Sequence, residues 1–199
     1  MDFKLSYNWL KELAPVTLEA SDLAKVMSLH GASVECVHEV GGEWNNIVIG
    51  RVMDVVAHPN ADKLKIVIVQ ATERYEVVCG GTNVRVGMVV ALALPGAHVR
   101  WHGEGALVEL KPTEIRGVKS TGMICAANEI GLVDLFVHRE REVLDLTPHT
   151  KAHNGTPLAE AFGLHDTILD VEVTSNRPDM MCVQGLAREV DLARGARER

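Results

Sequence analysis

Aromatic residues are scarce in this 199-residue chain: three Trp, three Phe and two Tyr, 4% of the total. That scarcity excludes a broad aromatic platform on which planar ligands stack in succession. Long apolar runs are missing too, and none approaches the length that spans a bilayer. Met1-Asp2-Phe3-Lys4 lacks the layout of a secretory signal. Both absences point to the cytoplasm and to no membrane association. Cys36, Cys79, Cys125 and Cys182 stand far apart with no Cys-x-x-Cys pair, which argues against a zinc ribbon. Since 47% of the residues are hydrophobic, a sizeable core is available without a disulfide framework, and free, mostly buried thiols are expected. No phosphate-binding Gly-x-x-x-x-Gly-Lys-[Ser/Thr] loop and no Gly-x-Ser-x-Gly elbow occur, so no catalytic residue is assigned. His98 and His102 have a ligand-like separation, but glycines on both sides deny them a stable helix, and no metal site is expected.

Charge is present but unevenly spread. The net value of −7 argues against a general nucleic-acid binder. Residues 1–46 and 147–199 are acidic, whereas 63–119 carry eight basic side chains against five acidic ones. The eight are Lys63, Lys65, Arg74, Arg85, Arg100, Lys111, Arg116 and Lys119. A modest basic face in an acidic chain suits a weak or auxiliary contact with a polyanion, because few phosphates would be neutralised.

The periodicity changes twice along the chain. Ser6 caps a first helix with Trp9, Leu10 and Leu13 on one face, ended by Pro15. Thr17 opens a second helix with Leu23, Val26 and Met27 buried, and Gly31 sits where a left-handed C-terminal residue is wanted. Ala32 to Val40 reads as a strand before Gly41-Gly42. Then short β-rich segments follow at regular spacing: Asn46–Ala57 with Gly50 marking a bulge or tight bend, Leu64–Ala71, Tyr75–Cys79, Met88–Leu94, Leu107–Ile115 and Arg141–Leu146. Many short strands with no long helix favour a closed or partly open barrel. From Thr156 the pattern is a short helix, a strand over Thr167–Val173, and a helix lined by Met181, Val183, Leu186, Ala187 and Val190 that runs into the charged stretch Arg194–Arg199.

Two segments of the middle region carry the most information. His58-Pro59-Asn60-Ala61-Asp62-Lys63-Leu64 is a turn that launches a strand, since Pro fixes φ and Asn and Asp close local hydrogen bonds. Val78-Cys79-Gly80-Gly81-Thr82-Asn83-Val84 is a strand ending on a Gly-rich bend. Both are similar to the tRNA-binding OB-type domain attached to several aminoacyl-tRNA synthetases. Ser6-Tyr7-Asn8-Trp9-Leu10, Ser120-x-Gly122-Met123-x-Cys125, Gly155-Thr156-Pro157-Leu158, Thr174-Ser175-Asn176-Arg177-Pro178-Asp179 and Gly185-Leu186-Ala187-Arg188-Glu189-Val190 accompany them in order. The ordered set resembles the β subunit of bacterial phenylalanyl-tRNA synthetase over nearly the whole chain. Departures are Gly81-Thr82 where the family often has Ala-Pro, Met180-Met181-Cys182 for a more usual Cys-Leu-Ser, and the apolar Phe136-Val137 in a loop usually more polar.

The resemblance implies an α+β protein: an OB-fold β-barrel over 41–149 inserted into a small discontinuous α+β domain made of 1–40 and 150–199. Each flank alone is too short to bury a core. The resemblance also implies that the chain is the N-terminal part of a longer β subunit. It implies tRNA as partner, together with the synthetase α subunit and the rest of the β subunit in a heterotetramer. In the family, aminoacylation sits on the α subunit, and proofreading and magnesium binding sit on other parts of the β subunit. No cofactor is therefore expected here, ATP and magnesium serving the full synthetase elsewhere.

Each candidate contact carries a plainer alternative. Lys63 and Lys65, on one side of an alternating strand, contact phosphates or merely form a solvated barrel face. Asn83 donates to RNA or holds its turn. His58 stacks on a base or makes a local contact within the turn that Pro59-Asn60 forms, and Asn60 is itself a candidate RNA contact. Arg116 and Lys119 flank Gly117 and approach a phosphate or sit on a plain surface loop, and Arg74 is a further positioning contact. Arg177 pairs with Asp179 across a Pro-fixed turn. The expected role is a non-catalytic tRNA-binding and scaffold module of phenylalanine–tRNA ligase. The alternatives are a purely structural assembly domain and a stand-alone tRNA-binding paralogue.

Overall fold

The structure, a computed structural model, describes residues 2–197, with side-chain surroundings through Asp191. The side chains of the charged stretch 194–199 lie outside the described residues. In chain order the elements are β1 (Asp2–Ser6), α1 (Tyr7–Leu13), α2 (Ala20–His30), β2 (Ser33–Val40), β3 (Ile47–Ala57), β4 (Lys65–Gln70), β5 (Arg74–Cys79) and β6 (Val89–Ala93). These are followed by β7 (His98–Val99), β8 (Val108–Glu109), β9 (Thr113–Ile115), β10 (Val118–Ser120), β11 (Met123–Ile124), α3 (Leu158–Ala161), β12 (Asp166–Glu172) and α4 (Val183–Arg197). The chain divides into two compact units: one runs to Gly42 and resumes at His165, and the other is Glu43–Leu164.

The first unit is a three-stranded antiparallel sheet, β1-β12-β2, with α1 and α2 packed on it and α4 packed against those two helices. Leu5, Leu169 and Val171 point from the sheet into a core completed by Leu10, Leu23, Met27, Met180 and Leu186. Ser6 caps α1, its Oγ accepting from the Trp9 amide at 3.0 Å. Trp9 and Leu13 stay exposed, however, and only Leu10 of α1 is buried, so the expected apolar face is one residue wide. The N-cap of α2 is Glu19 rather than Thr17, without a side-chain cap. Gly31 has φ 176, which is extended backbone and not left-handed. Its missing side chain leaves room for Glu189, since a Cβ would overlap Glu189 Oε1 and displace that carboxylate. That carboxylate accepts from Arg177 at 2.7 Å, and Arg177 also pairs bidentately with Asp179 at 2.9 and 3.1 Å.

The second unit is built on a five-stranded antiparallel sheet, β11-β6-β3-β4-β5, curled into a nearly closed barrel. Two features of β3 produce the curl. Its first half pairs with β6 and its second half with β4, and the register shifts between Val52 and Asp54. A bulge of this kind bends a strand and raises its twist. The bend is thus at Met53 and not at Gly50, whose missing side chain instead admits Val69, since a Cβ would meet Val69 Cγ1 at 2.5 Å. Residues 118–124 close the circle: Ser120 Oγ accepts from Val78, the Thr121 amide donates to Glu76, and β11 pairs with β6. Val67, Val69, Val77, Val90 and Leu92 fill the interior.

β6 is buried along its whole length, the outcome expected of an uninterrupted apolar run. Its other face supports a second core of Ile47, Ile49, Ala91, Val99, Phe136, Leu146 and Leu158. The unit boundary therefore lies at 164/165 and not at 150. Residues 150–164 belong to the barrel unit because Ile49 donates to Thr156 O and accepts from Gly155 (2.9 and 2.7 Å), and Leu158 is fully buried. The strand expected over Arg141–Leu146 is reduced to a single bridge between Val90 and Asp145. The segment expected as one strand over Leu107–Ile115 is split into β8 and β9 around Lys111-Pro112.

Candidate nucleic-acid interface

Most of the candidate residues gather at one end of the barrel. Ile115 faces Val118 in the β9–β10 hairpin, leaving the two-residue loop Arg116-Gly117 with φ of 51 and 88, the left-handed pair that favours Gly at the second position. This tip is fastened to the turn before β4. Asn60 Nδ2 donates to Arg116 O at 3.1 Å, and an Arg116 guanidinium nitrogen lies 3.4 Å from Asn60 O. His58 completes the fastening: its Nδ1 accepts from the Asn60 amide at 3.1 Å, so Nε2 carries the hydrogen and donates to Ile115 O at 3.2 Å. His58 is 5% exposed with both ring nitrogens engaged. It holds two turns together and has no free ring face for a base, which corrects the stacking expectation.

Lys63 is exposed in the same turn rather than on the strand, and Lys65 begins β4 opposite Cys79. Lys65 Nζ lies 3.4 Å from Thr82 O and is half-buried, so part of its hydrogen-bonding capacity is directed at its own loop. Lys119 is exposed on β10 and faces Glu114 across the hairpin. Arg74 stands apart. It pairs with Gln70 at the far end of the β4–β5 hairpin, five residue steps from the Lys65–Cys79 pair, or about 17 Å along the strands. Asn83 exchanges both amide hydrogen bonds with the backbone of Val143, at 2.8 and 3.0 Å. Its side chain is a turn brace, spending one amide hydrogen and one oxygen lone pair on Val143.

Beside these turns lies a cleft of about 540 Å³, lined by Lys63, Gly80, Gly81, Trp101, His102, Asn128, Glu129, His138, Arg141 and others. Sequence spacing gave no sign of it. Thr82 donates through its amide and hydroxyl to Arg141 O, at 3.0 and 3.2 Å, so loop 138–143 becomes a wall through contacts some sixty residues away. Burial pushes the Glu129 carboxyl up, against the opposing hydrogen bond from the Ala126 amide. Burial likewise raises the thiols of Cys79 and Cys125, which makes both poor nucleophiles. Among the described residues no group of side chains could hold a metal ion, and no helix is long and apolar enough to cross a membrane.

A curled antiparallel barrel with polar turns gathered at one end is a common design for gripping a nucleic-acid strand. Residues 47–157, more than half of the chain, match the family described as "Putative tRNA binding domain", and the chain belongs to that family. Phenylalanine–tRNA ligase β subunits are its relatives by sequence. That of Synechococcus sp. (strain CC9605) is 38% identical over 94% of this chain, that of Trichormus variabilis 38% over 94%, and that of Synechocystis sp. (strain ATCC 27184 / PCC 6803 / Kazusa) 34% over 98%. The chain spans less than a quarter of the length of these relatives, 22–23%.

Proposed function

We propose that the chain is a non-catalytic, tRNA-binding part of a phenylalanine–tRNA ligase β subunit and that its barrel is an OB-fold. In this reading it contributes to charging tRNA with phenylalanine, alongside an α subunit and the rest of the β subunit. The observation that carries the reading is a coincidence of place. The segment matching the tRNA-binding family includes the barrel end where Asn60, Lys63, Lys65, Arg116 and Lys119 gather. Exposed Lys and Arg side chains set on rigid turns position a phosphate backbone without reading sequence. Lys63, Arg116 and Lys119 are the principal contacts, with Lys65 assisting. Catalysis, ATP and magnesium belong to other parts of the synthetase.

Few phosphates are neutralised by so small a group, so binding is weak and salt-sensitive. Titrating tRNA against the chain at rising salt tests this. Measurable affinity at low salt that falls steeply as salt is added supports the reading, and no binding at the lowest salt removes it. A second reading, an assembly platform, draws on the net charge of −7 and on exposed Leu135 and Val137. Replacing Lys63 and Lys65 by Glu separates the two, because an assembly platform keeps its tRNA affinity unchanged.

A further inference from the structure

The sheet of the first unit has one face turned away from its helices, and on it three side chains form a chain of contacts. Cys36 and His38 are two residues apart on β2 and so share a face. Asp170 stands opposite Cys36 on β12. Asp170 Oδ2 lies 2.9 Å from His38 Nε2, and Cys36 Sγ lies 3.9 Å from His38 Nδ1. The carboxylate can only accept, so Nε2 carries the hydrogen and Nδ1 presents its lone pair to the thiol. Asp170 Oδ1 is buried and has no hydrogen-bond partner. Cys36 itself is exposed, whereas Cys79 and Cys125 are buried. Cys182, the other exposed thiol, is engaged locally, with Sγ 3.6 Å from Asp179 O and accepting from the Gly185 amide at 3.4 Å.

We propose that Cys36 is a reactive thiol whose substrates are low-molecular-weight disulfides, with His38 as its base and Asp170 positioning the imidazole. In the step, the Cys36 proton passes to His38 Nδ1 and the sulfur attacks one sulfur of the disulfide. A Cys36–sulfur bond forms and the incoming S–S bond breaks. The electron pair leaves on the departing sulfur, which takes the proton back from His38. Cys36 is oxidised to a mixed disulfide, one half of the reagent is reduced to a thiol, and no further oxidant is needed. The nucleophile, base and orienting carboxylate stand in the order that activates cysteine nucleophiles generally.

The test uses the full chain with Cys182→Ser, a substitution that keeps a capping oxygen at the start of α4. Reaction with an aromatic disulfide reagent at neutral pH gives the rate, and oxidised glutathione followed by peptide mass analysis gives the site. One fast thiol mapping to Cys36 is expected. His38→Asn slows it roughly tenfold and Asp170→Asn by a smaller factor, since a positioned base contributes at least that much. His38 lies half-exposed on an edge strand, so its replacement opens no cavity. An unchanged rate in His38→Asn, or a Cys36 no faster than the same cysteine in the urea-unfolded chain, overturns the proposal.

Discussion

Asn83 and Val143, sixty residues apart, exchange two hydrogen bonds through the Asn83 amide, which thereby substitutes for a strand partner that Val143 lacks. Val143 is buried, so deleting the amide strands both of its backbone groups. Asn83→Ala is expected to lower stability by about 2 kcal/mol, read as a shift in the urea midpoint. Under conditions where the variant is folded, its tRNA affinity stays that of the parent. A loss of tRNA binding with no loss of stability shows instead that the side chain touches RNA.

Gly31 and Glu189 make a second such relationship. The Glu189 carboxylate occupies the space a Cβ on Gly31 would fill, and it is held there by Arg177, which also grips Asp179. The Arg177 guanidinium, hydrogen-bonded to Asp179 and Glu189, is held above its ordinary range and stays charged. Gly31→Ala pushes the carboxylate off this pair and is expected to lower the urea midpoint, because the displaced Glu189 side chain is largely buried. Glu189→Ala removes the obstacle, so Gly31→Ala costs far less in that background. Equal effects of Gly31→Ala with and without Glu189, measured by a double-mutant cycle in urea, sink this account.

Elements whose signals are local were legible in the sequence. The Ser6 cap, the buried run of β6, the alternation of β4 and the Arg177–Asp179 pair all follow from neighbours within a few residues. What escaped depends on distant partners. The crowding at Gly31 is set by Glu189, and the wall of the cleft by Thr82 and Asn83 reaching to 141–143. Segment 150–164 contains only a four-residue helix, so nothing local reveals that its backbone pairs with β3. Of the candidate contacts, the turn at 58–64 was legible as a turn. Whether His58 faced in or out was decided by Ile115, which no spacing rule connects to it.

The separation of Arg74 from the other basic residues gives a test of where RNA lies. Charge reversal at Lys63 or Arg116 is expected to weaken tRNA binding at low salt and to flatten the dependence of log affinity on log salt by about 0.7 for each phosphate contact removed from a single strand. Arg74→Glu, about 17 Å away along the hairpin, shifts affinity only through long-range attraction. That effect disappears at about 0.15 M salt, where the screening length is about 8 Å. Arg74→Glu with a flattening equal to that of Lys63→Glu places the strand across the whole β4–β5 hairpin instead.

Two carboxyl groups of the barrel unit have opposite pH signatures. Burial raises Asp145, but hydrogen bonds from Thr147 and Arg85 outweigh it and hold its carboxyl below the ordinary range. The folded chain therefore binds this proton less readily than the unfolded chain. The stability from Asp145 is in full effect above the unfolded value of about 3.9 and is lost as the pH falls through the folded one. Glu129 is the reverse. Burial holds its carboxyl above the ordinary range, so the folded chain takes up the proton first. It costs stability at neutral pH, and that cost is relieved as the pH falls through its raised value. Asp145→Asn is thus expected to lose about 1 kcal/mol at pH 7 and to match the parent near pH 2. Glu129→Gln keeps an oxygen for the Ala126 amide. It is expected to be neutral or stabilising by up to about 1 kcal/mol at pH 7, with the advantage gone once Glu129 is protonated in the parent. Urea midpoints of the three proteins from pH 2 to pH 7 distinguish the two cases, and curves that run parallel throughout contradict both.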